Sequence, residues 1–490
     1  MNKLSKPAVV AGLLAFVYSG IGIWRPSFWT DEAATLSAVR RDLPELTEML
    51  GSIDAVHGAY YYLMFGWTRI FGFSELAVRL PSLLAVSVAA IVMVELGRKL
   101  SSVHLGLIAS AVLVLMPRTQ YAATDARSYA LTLLGAVVAS YLLVSIRENP
   151  RMIKWVIYAA TGFFAVSLSF YCIFLYFAHA LTVVWDTKLR SEWRGMLVSG
   201  LAWLTPALFV GSMASVQQFQ ISWIPPVGPS FPFEVAFLQF FGDGYFAKDG
   251  QVAPLPTPGE DFSMYALAGL LWTVAAVGTL LSRRLFLVRL AVPWLVVPVA
   301  AAVGGSLLTG GNYYLPRYLT FELPALALLA AAPAALNLGR TGRTVRSLMY
   351  GVVAASLIVA LPSYLGQRTQ YGRDTQDDFR YIAKSVERLA SPGDAFVMGA
   401  GSDLAYHAYP DSFAGLTDPT RGISAVEWKR IFNQRFDINS SAPKILRHKT
   451  VILIEKTGET TMATDLEGLG YQPGDSAQGP STTVTKYVHK

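Results

Sequence analysis

Long apolar stretches recur through the first three quarters of this chain and constrain it more than any other feature. A bilayer core about 30 Å thick takes roughly 20 mostly apolar helical residues. Runs approaching that size occur near 7–24, 76–97, 102–117, 126–146, 152–168, 171–185, 195–215, 263–281, 287–309, 318–337 and 345–363. They predict a polytopic α-helical membrane protein with about eleven transmembrane helices. Composition agrees, since 53% of the 490 residues are hydrophobic and only 15% charged, too apolar for a soluble chain of this length. The formal charge of +7 does not point to nucleic acid, because the basic residues sit in short clusters between apolar runs. Cys172, the single cysteine, lies inside one such run, which excludes a disulfide framework and a Cys-ligated metal site.

Charge orients the spans. Lys3 and Lys6 precede the first run, which has no small-residue cleavage site and leads directly into an acidic pair. It reads as a retained first span with a cytoplasmic N-terminus. Alternate loops then carry Arg98 and Lys99; Arg147, Arg151 and Lys154; Lys188, Arg190 and Arg194; Arg283, Arg284 and Arg289; and Arg340, Arg343 and Arg346. That is the pattern the positive-inside rule requires. Residues 152–185 are expected as two short spans, because one long tilted helix would put the last two basic loops outside. Residues 25–74 and 216–262 become outer loops. In the first, 33–49 has helical character interrupted by Pro44, and 60–73 has the aromatic periodicity of an interfacial helix. After residue 363 the composition turns mixed and charged. Strand-like runs at 395–398 and 451–454 alternate with helical patterns at 376–390, 425–436 and 461–469, which predicts an extracytoplasmic α/β domain over 364–490. Ser391-Pro392-Gly393-Asp394 reads as a turn before the first strand. No GxGxxG or P-loop pattern occurs.

Three polar clusters fall where apolar runs meet the outer surface. The first is Trp29-Thr30-Asp31-Glu32 with His57-Gly58-Ala59-Tyr60-Tyr61 downstream. The second is the stretch Gln120 to Tyr129, containing Tyr121, Asp125 and Arg127, expected as a short outer loop. The third is Asn312 to Tyr318, containing Arg317. Charged groups at a membrane edge snorkel, pair or serve a pathway. Each cluster has a plain structural reading too. Thr30 or Asp31 suits a helix cap, with Glu32 favourable to the dipole. Arg127 and Arg317 suit lipid-phosphate anchors, Tyr60 to Tyr62 an aromatic belt, and His57 a structural hydrogen bond. Asp243 and Asp249 resemble a cation loop only loosely, so a turn is the expectation there and metal dependence is not supported.

The order of these pieces resembles the GT-C superfamily of membrane glycosyltransferases. Within it, the likeness is to bacterial polyprenyl-phosphate-sugar-dependent enzymes related to protein O-mannosyltransferases and aminoarabinose transferases. It covers most of residues 1–340 and rests on five motifs in order: Trp29 to Glu32, His57 to Leu63, Glu75 to Ser82 with Arg79, Tyr121 to Tyr129, and Pro316-Arg317-Tyr318 running on to Leu328. Their flavour is similar to actinobacterial envelope enzymes that use decaprenyl-phosphate sugars. Gly58-Ala59-Tyr60 departs from the family, where a proline often stands between the small residue and the tyrosine pair.

The resemblance implies that Asp31 is a general base, deprotonating an acceptor hydroxyl that attacks the anomeric carbon with inversion. Arg127 and Arg317, with Arg79 third, would stabilise the leaving phosphate. Glu32 and His57 would orient the acceptor or hold Asp31, and Tyr60, Tyr61, Tyr121, Asp125, Tyr129 and Tyr318 would line the substrate site. The donor would be a polyprenyl-phosphate-linked sugar, mannose first and arabinofuranose second. The acceptor would be an envelope glycan, glycolipid or protein at the outer face of the plasma membrane, with no cofactor required. Two rivals remain: a transporter, which should show repeats and interrupted helices, and a non-catalytic polyprenyl-lipid-binding protein.

Overall fold

The computed structural model describes residues 4–242, 247–248, 251–252, 262–336, 339, 341–373, 378–399 and 401–490. It divides into two compact units. One comprises Met1–Ile23, Ala55–Tyr60 and Arg79–Gln367, and the other Trp24–Asp54, Tyr61–Val78 and Arg368–Lys490.

The first unit is a helical membrane body. Among the described residues, seven helices are long and apolar enough to cross a bilayer: Glu75–Leu100, Tyr129–Glu148, Trp193–Val216, Phe262–Leu281, Phe286–Thr309, Pro316–Ala335 and Thr341–Gly366. An eighth candidate is the pair Val103–Leu115 and Pro117–Ala123, bent by 72°. Every one of the eleven expected segments is helical. Lys6–Gly20, Met152–Leu168 and Phe170–Trp185, however, are shorter than a standard span. Ser169 breaks the chain between the last two, since its extended φ −155° and ψ 119° end the helix there. The two pieces then find different neighbours. Met152–Leu168 packs on Tyr129–Glu148 and Trp193–Val216, whereas Ile173–Trp185 packs on Phe286–Thr309.

Pro316–Ala335 is almost wholly enclosed, while Thr341–Gly366 exposes most of its apolar surface. Both are apolar on every side, one for a protein interior and one for lipid. Small residues allow the closest approaches. A Cβ on Gly97 would lie 2.3 Å from Gly106 Cα, so the helices on either side of Ser101 touch backbone to backbone.

In the second unit, four strands form one sheet: β1 Ala395–Met398, β2 Thr450–Lys456, β3 Tyr471–Gln478 and β4 Thr482–His489. Their order is β1-β2-β4-β3. β1 runs parallel to β2, with Ala395 opposite Val451, and β4 is antiparallel to both β2 and β3. Val397, Val451, Leu453, Leu466, Tyr471 and Tyr487 fill its core. The turn at 391–394 stands as expected, with Asp394 N–H donating to Ser391 O at 3.0 Å and Gly393 at φ +92°.

Three expectations change. The segments Trp24–Asp54 and Tyr61–Val78 share the unit of the sheet, because polar ties hold them to it. Ser37 Oγ donates to Ile431 O, and Arg41 Nη2 to Arg430 O. Pro44 starts a helix and does not interrupt one. It stands in the first turn of Leu43–Ser52, whose N-cap Asp42 forms a reciprocal capping box with Glu45. Residues 425–436 are not helical. Lys429 sits at φ +53°, and Gly422 N–H to Gln434 O with Gln434 N–H to Ile423 O closes a hairpin-like loop. The β3–β4 hairpin was not expected, because Tyr471–Gln478 buries only Tyr471 and Ala477, with five exposed residues between them.

Candidate active site

In the helical unit, the second expected cluster is not a loop on the surface. The chain leaves Val103–Leu115, turns at Met116 into the short helix Pro117–Ala123 and enters Tyr129–Glu148, and every residue from 116 to 130 is buried. Ser82 fixes the far end of this segment by donating to Asp125 O at 2.6 Å. Arg127 is therefore enclosed by protein, at 6% exposure, and Arg317 likewise at 9%. That disfavours the lipid-anchor reading for both. A guanidinium withdrawn from water needs compensating partners.

One partner is His57, on the short helix Ala55–His57. Arg127 Nη2 lies 3.1 Å from His57 Nε2. Arginine can only donate, so Nε2 is the accepting nitrogen and the ring proton sits on Nδ1. Burial, then the charges of Arg127 and Arg317, hold the His57 pKa well below its ordinary value. His57 is thus a neutral imidazole flanked by two cations. Arg317 also lies over the Trp223 ring, 5.7 Å from its centroid, within range of a cation–π contact. Helix Ala55–His57 is secured in turn by Ala55 N–H donating to Gln217 Oε1 at 3.0 Å.

The other expected residues of this unit surround these groups or brace it. Arg79 is fully buried and donates through Nη1 to Ile23 O at 2.8 Å, tying off the end of the first apolar helix. Tyr129 joins a small cluster with Ala85, Val86, Ala122 and Ala123, against which Tyr318 packs. Tyr60, Tyr121 and Asp125 are buried. Tyr121 stacks near Arg118, a further buried cation whose Nη2 donates to Leu238 O at 2.8 Å. Neither Arg118 nor Trp223 stood out in the sequence. The available signal was Pro117 directly after an apolar run, marking a bend that carries its neighbour inward. Deeper still, Tyr314 donates to Gln239 Oε1 at 3.2 Å, and Gln239 Nε2 to Glu322 Oε2 at 2.5 Å.

Asp31, Glu32 and Tyr61 belong to the second unit. The helix there is Thr30–Val39, and its N-cap is Trp29, which makes no side-chain cap bond. Asp31 and Glu32 occupy the first turn, Glu32 fully buried and Asp31 partly open. Neither Thr30 nor Asp31 is the cap, and with seven of its ten residues buried this is not a surface helix. Tyr61 is not open either, since its hydroxyl donates to Asp54 Oδ2 at 2.7 Å, with Asp54 at φ +60°. Asp243 and Asp249 lie outside the described residues.

Residues 59–214 match the sequence profile of the dolichyl-phosphate-mannose-protein mannosyltransferase family. No curated protein matches the chain in sequence. Among solved structures, the chain is similar to ArnT from Cupriavidus metallidurans, apo and bound to undecaprenyl phosphate. Each match has a TM-score of 0.56 and 14% identity and covers 98% of this chain and 97% of that one. The Archaeoglobus fulgidus oligosaccharyltransferase tethered with an acceptor peptide matches at TM-score 0.47 and 10% identity, covering 91% of this chain and 68% of its own. At 14% identity the ArnT likeness establishes the fold.

Proposed function

We propose, for a chain that belongs to the GT-C superfamily of membrane glycosyltransferases, that it moves a sugar with inversion from polyprenyl phosphate to a hydroxyl of a cell-envelope acceptor. The observation that carries this reading is the buried group Arg127, His57 and Arg317 in an apolar helical unit. Two guanidinium groups beside a neutral imidazole form an anion receptor, and a lipid-borne phosphate is the anion that reaches such a place. ArnT, which shares the fold, binds undecaprenyl phosphate.

The acceptor oxygen attacks the anomeric carbon, its proton passes to the Asp31 carboxylate, and the bond from that carbon to the phosphate oxygen breaks. Polyprenyl phosphate leaves as a monoester with more negative charge than the diester it was. Arg127 and Arg317 therefore stabilise the transition state more than the ground state. Glu32 supports Asp31, and His57, fixed as an acceptor toward Arg127, holds that fork in place. Mannose is the first sugar to test and arabinofuranose the second. The two arginines supply the electrostatic role a divalent cation has elsewhere, so a chelator should leave transfer unchanged. The protein sits in the plasma membrane with residues 364–490 outside the cytoplasm, and reporter fusions after residue 365 should be active only on that side.

The test is transfer by the purified protein from a panel of polyprenyl-phosphate sugars to envelope extracts, read by which sugar moves. No transfer from any donor, with polyprenyl phosphate still bound, would leave a lipid-binding protein in its place.

A further inference from the structure

Five residues after Arg317, in the helical unit, stands a carboxyl group that the transfer chemistry above does not use. Glu322 is fully buried, and no ion pair reaches it among the described residues. A carboxyl group withdrawn from water without a cation is costly unless hydrogen bonds compensate it. Its partners are neutral. Oε2 accepts from Gln239 Nε2, and the Val299 backbone N–H is a second donor to the group. Gln239, also fully buried, accepts at Oε1 from the Tyr314 hydroxyl at 3.2 Å. Phenol, amide and carboxyl thus form one buried chain of hydrogen bonds, an arrangement that rigidifies what it joins.

The two ends of that chain bracket Arg317. Tyr314 precedes it by three residues and Glu322 follows by five, so one glutamine amide closes residues 314–322 into a loop. Within the loop, Thr320 Oγ1 donates to Arg317 O at 2.7 Å, and Trp294 Nε1 donates to Phe321 O at 2.9 Å. The guanidinium lies over Trp223, on the same stretch of chain as Gln239. Beside that ring, Asn312 Nδ2 donates to Ile224 O at 2.7 Å. The two segments are therefore joined on both sides of the cation–π contact, by Asn312 before Arg317 and by Glu322 after it. A group that acts by position is sensitive to small shifts, and a misplacement of about 1 Å can cost 10²-fold in rate. Given the phosphate role of Arg317 proposed above, we infer that Glu322 is a positioning residue. Through Gln239 it clamps the loop that carries Arg317, and so sets where that guanidinium meets the donor phosphate.

The full-length protein in detergent can be titrated calorimetrically with undecaprenyl phosphate, as wild type, Glu322→Leu, Arg317→Gln and the double variant. Glu322→Leu should weaken binding about tenfold, and less than about twofold once Arg317 is already Gln, because residues that act through one another are not additive. Arg317→Gln alone should weaken binding at least as much as Glu322→Leu. Glu322→Gln keeps an oxygen that accepts from Gln239 and should bind nearly as well as wild type. If the leucine variant melts early, Tyr314→Phe takes its place in the cycle. It deletes only the hydroxyl at the far end of the clamp and should cost about threefold, the scale of one hydrogen bond, and only where Arg317 is present. The same loss in both backgrounds would mark a general structural role and overturn the clamp. Full binding by Glu322→Leu, or glutamine as harmful as leucine, would overturn it too. In each of those cases Arg317→Gln still weakens binding, so the phosphate site stands. No binding by the wild type, or full binding by Arg317→Gln, would overturn the phosphate site and the clamp together.

Discussion

The two units keep their charges by opposite means. In the helical unit, Arg127 and Arg317 are cations buried by protein, with His57, a neutral imidazole, against Arg127. In the second unit, the acidic pair Asp31 and Glu32 sits at the start of a helix whose dipole favours negative charge. The first arrangement is costly and shows little local reason in its own secondary structure. The second is partly offset by that dipole, with Asp31 half open though Glu32 is buried, and would be reasonable in a protein with no active site at all. Burial of cations therefore says more about function here than the presence of acids, and Asp31 needs the harder test.

That test has the largest expected effect. Asp31→Asn keeps the shape and loses the proton acceptor, so transfer should fall by roughly 10²–10⁴-fold with the melting temperature unchanged. Glu32→Gln should cost less. A well-folded Asp31→Asn enzyme at the wild-type rate would make the acidic pair purely structural and erase the functional half of the comparison. Next come the cations. Arg127→Gln or Arg317→Gln should lower transfer by about 10²–10³-fold, the range for losing one preorganised donor to developing charge. The lysine variants should fall between, because they keep charge without the planar fork.

A smaller effect separates the units by pH. His407 in the second unit is held at a pKa of about 3 by burial and by the charges of Arg435, Arg41 and Arg40. An unfolded histidine titrates near 6.5, so below that value the unfolded state binds the extra proton and stability falls as pH drops toward 3. His407→Gln should make that fall shallower, as read by melting temperature between pH 3 and 7. His57, also held low, should add no ionisation to the rate profile between pH 6.5 and 8. The smallest effect is Asp42→Ala, which removes the capping box of Leu43–Ser52. It should cost about 1 kcal/mol of stability with transfer unchanged.

Read alone, the sequence determined the membrane class, the helical segments and the α/β character of the C-terminal region. It also identified Arg127, Arg317 and His57 as residues of interest. Those features are written in local composition: apolar runs long enough for a helix, alternation in short strands such as 451–454, and charge that an apolar neighbourhood does not tolerate without a task. The tertiary structure alone decided that Gln120 to Tyr129 is interior, because a 72° bend at Met116 and Pro117 depends on what the next helix packs against. It alone showed Arg118 bonded to Leu238 O, Tyr61 bonded to Asp54 and Trp29 as the cap of Thr30–Val39. It also assigned Trp24–Asp54 to the unit of the distant C-terminal sheet. Each of these rests on contacts between residues far apart in the chain, or on a backbone angle that such contacts impose. A local pattern carries no record of either.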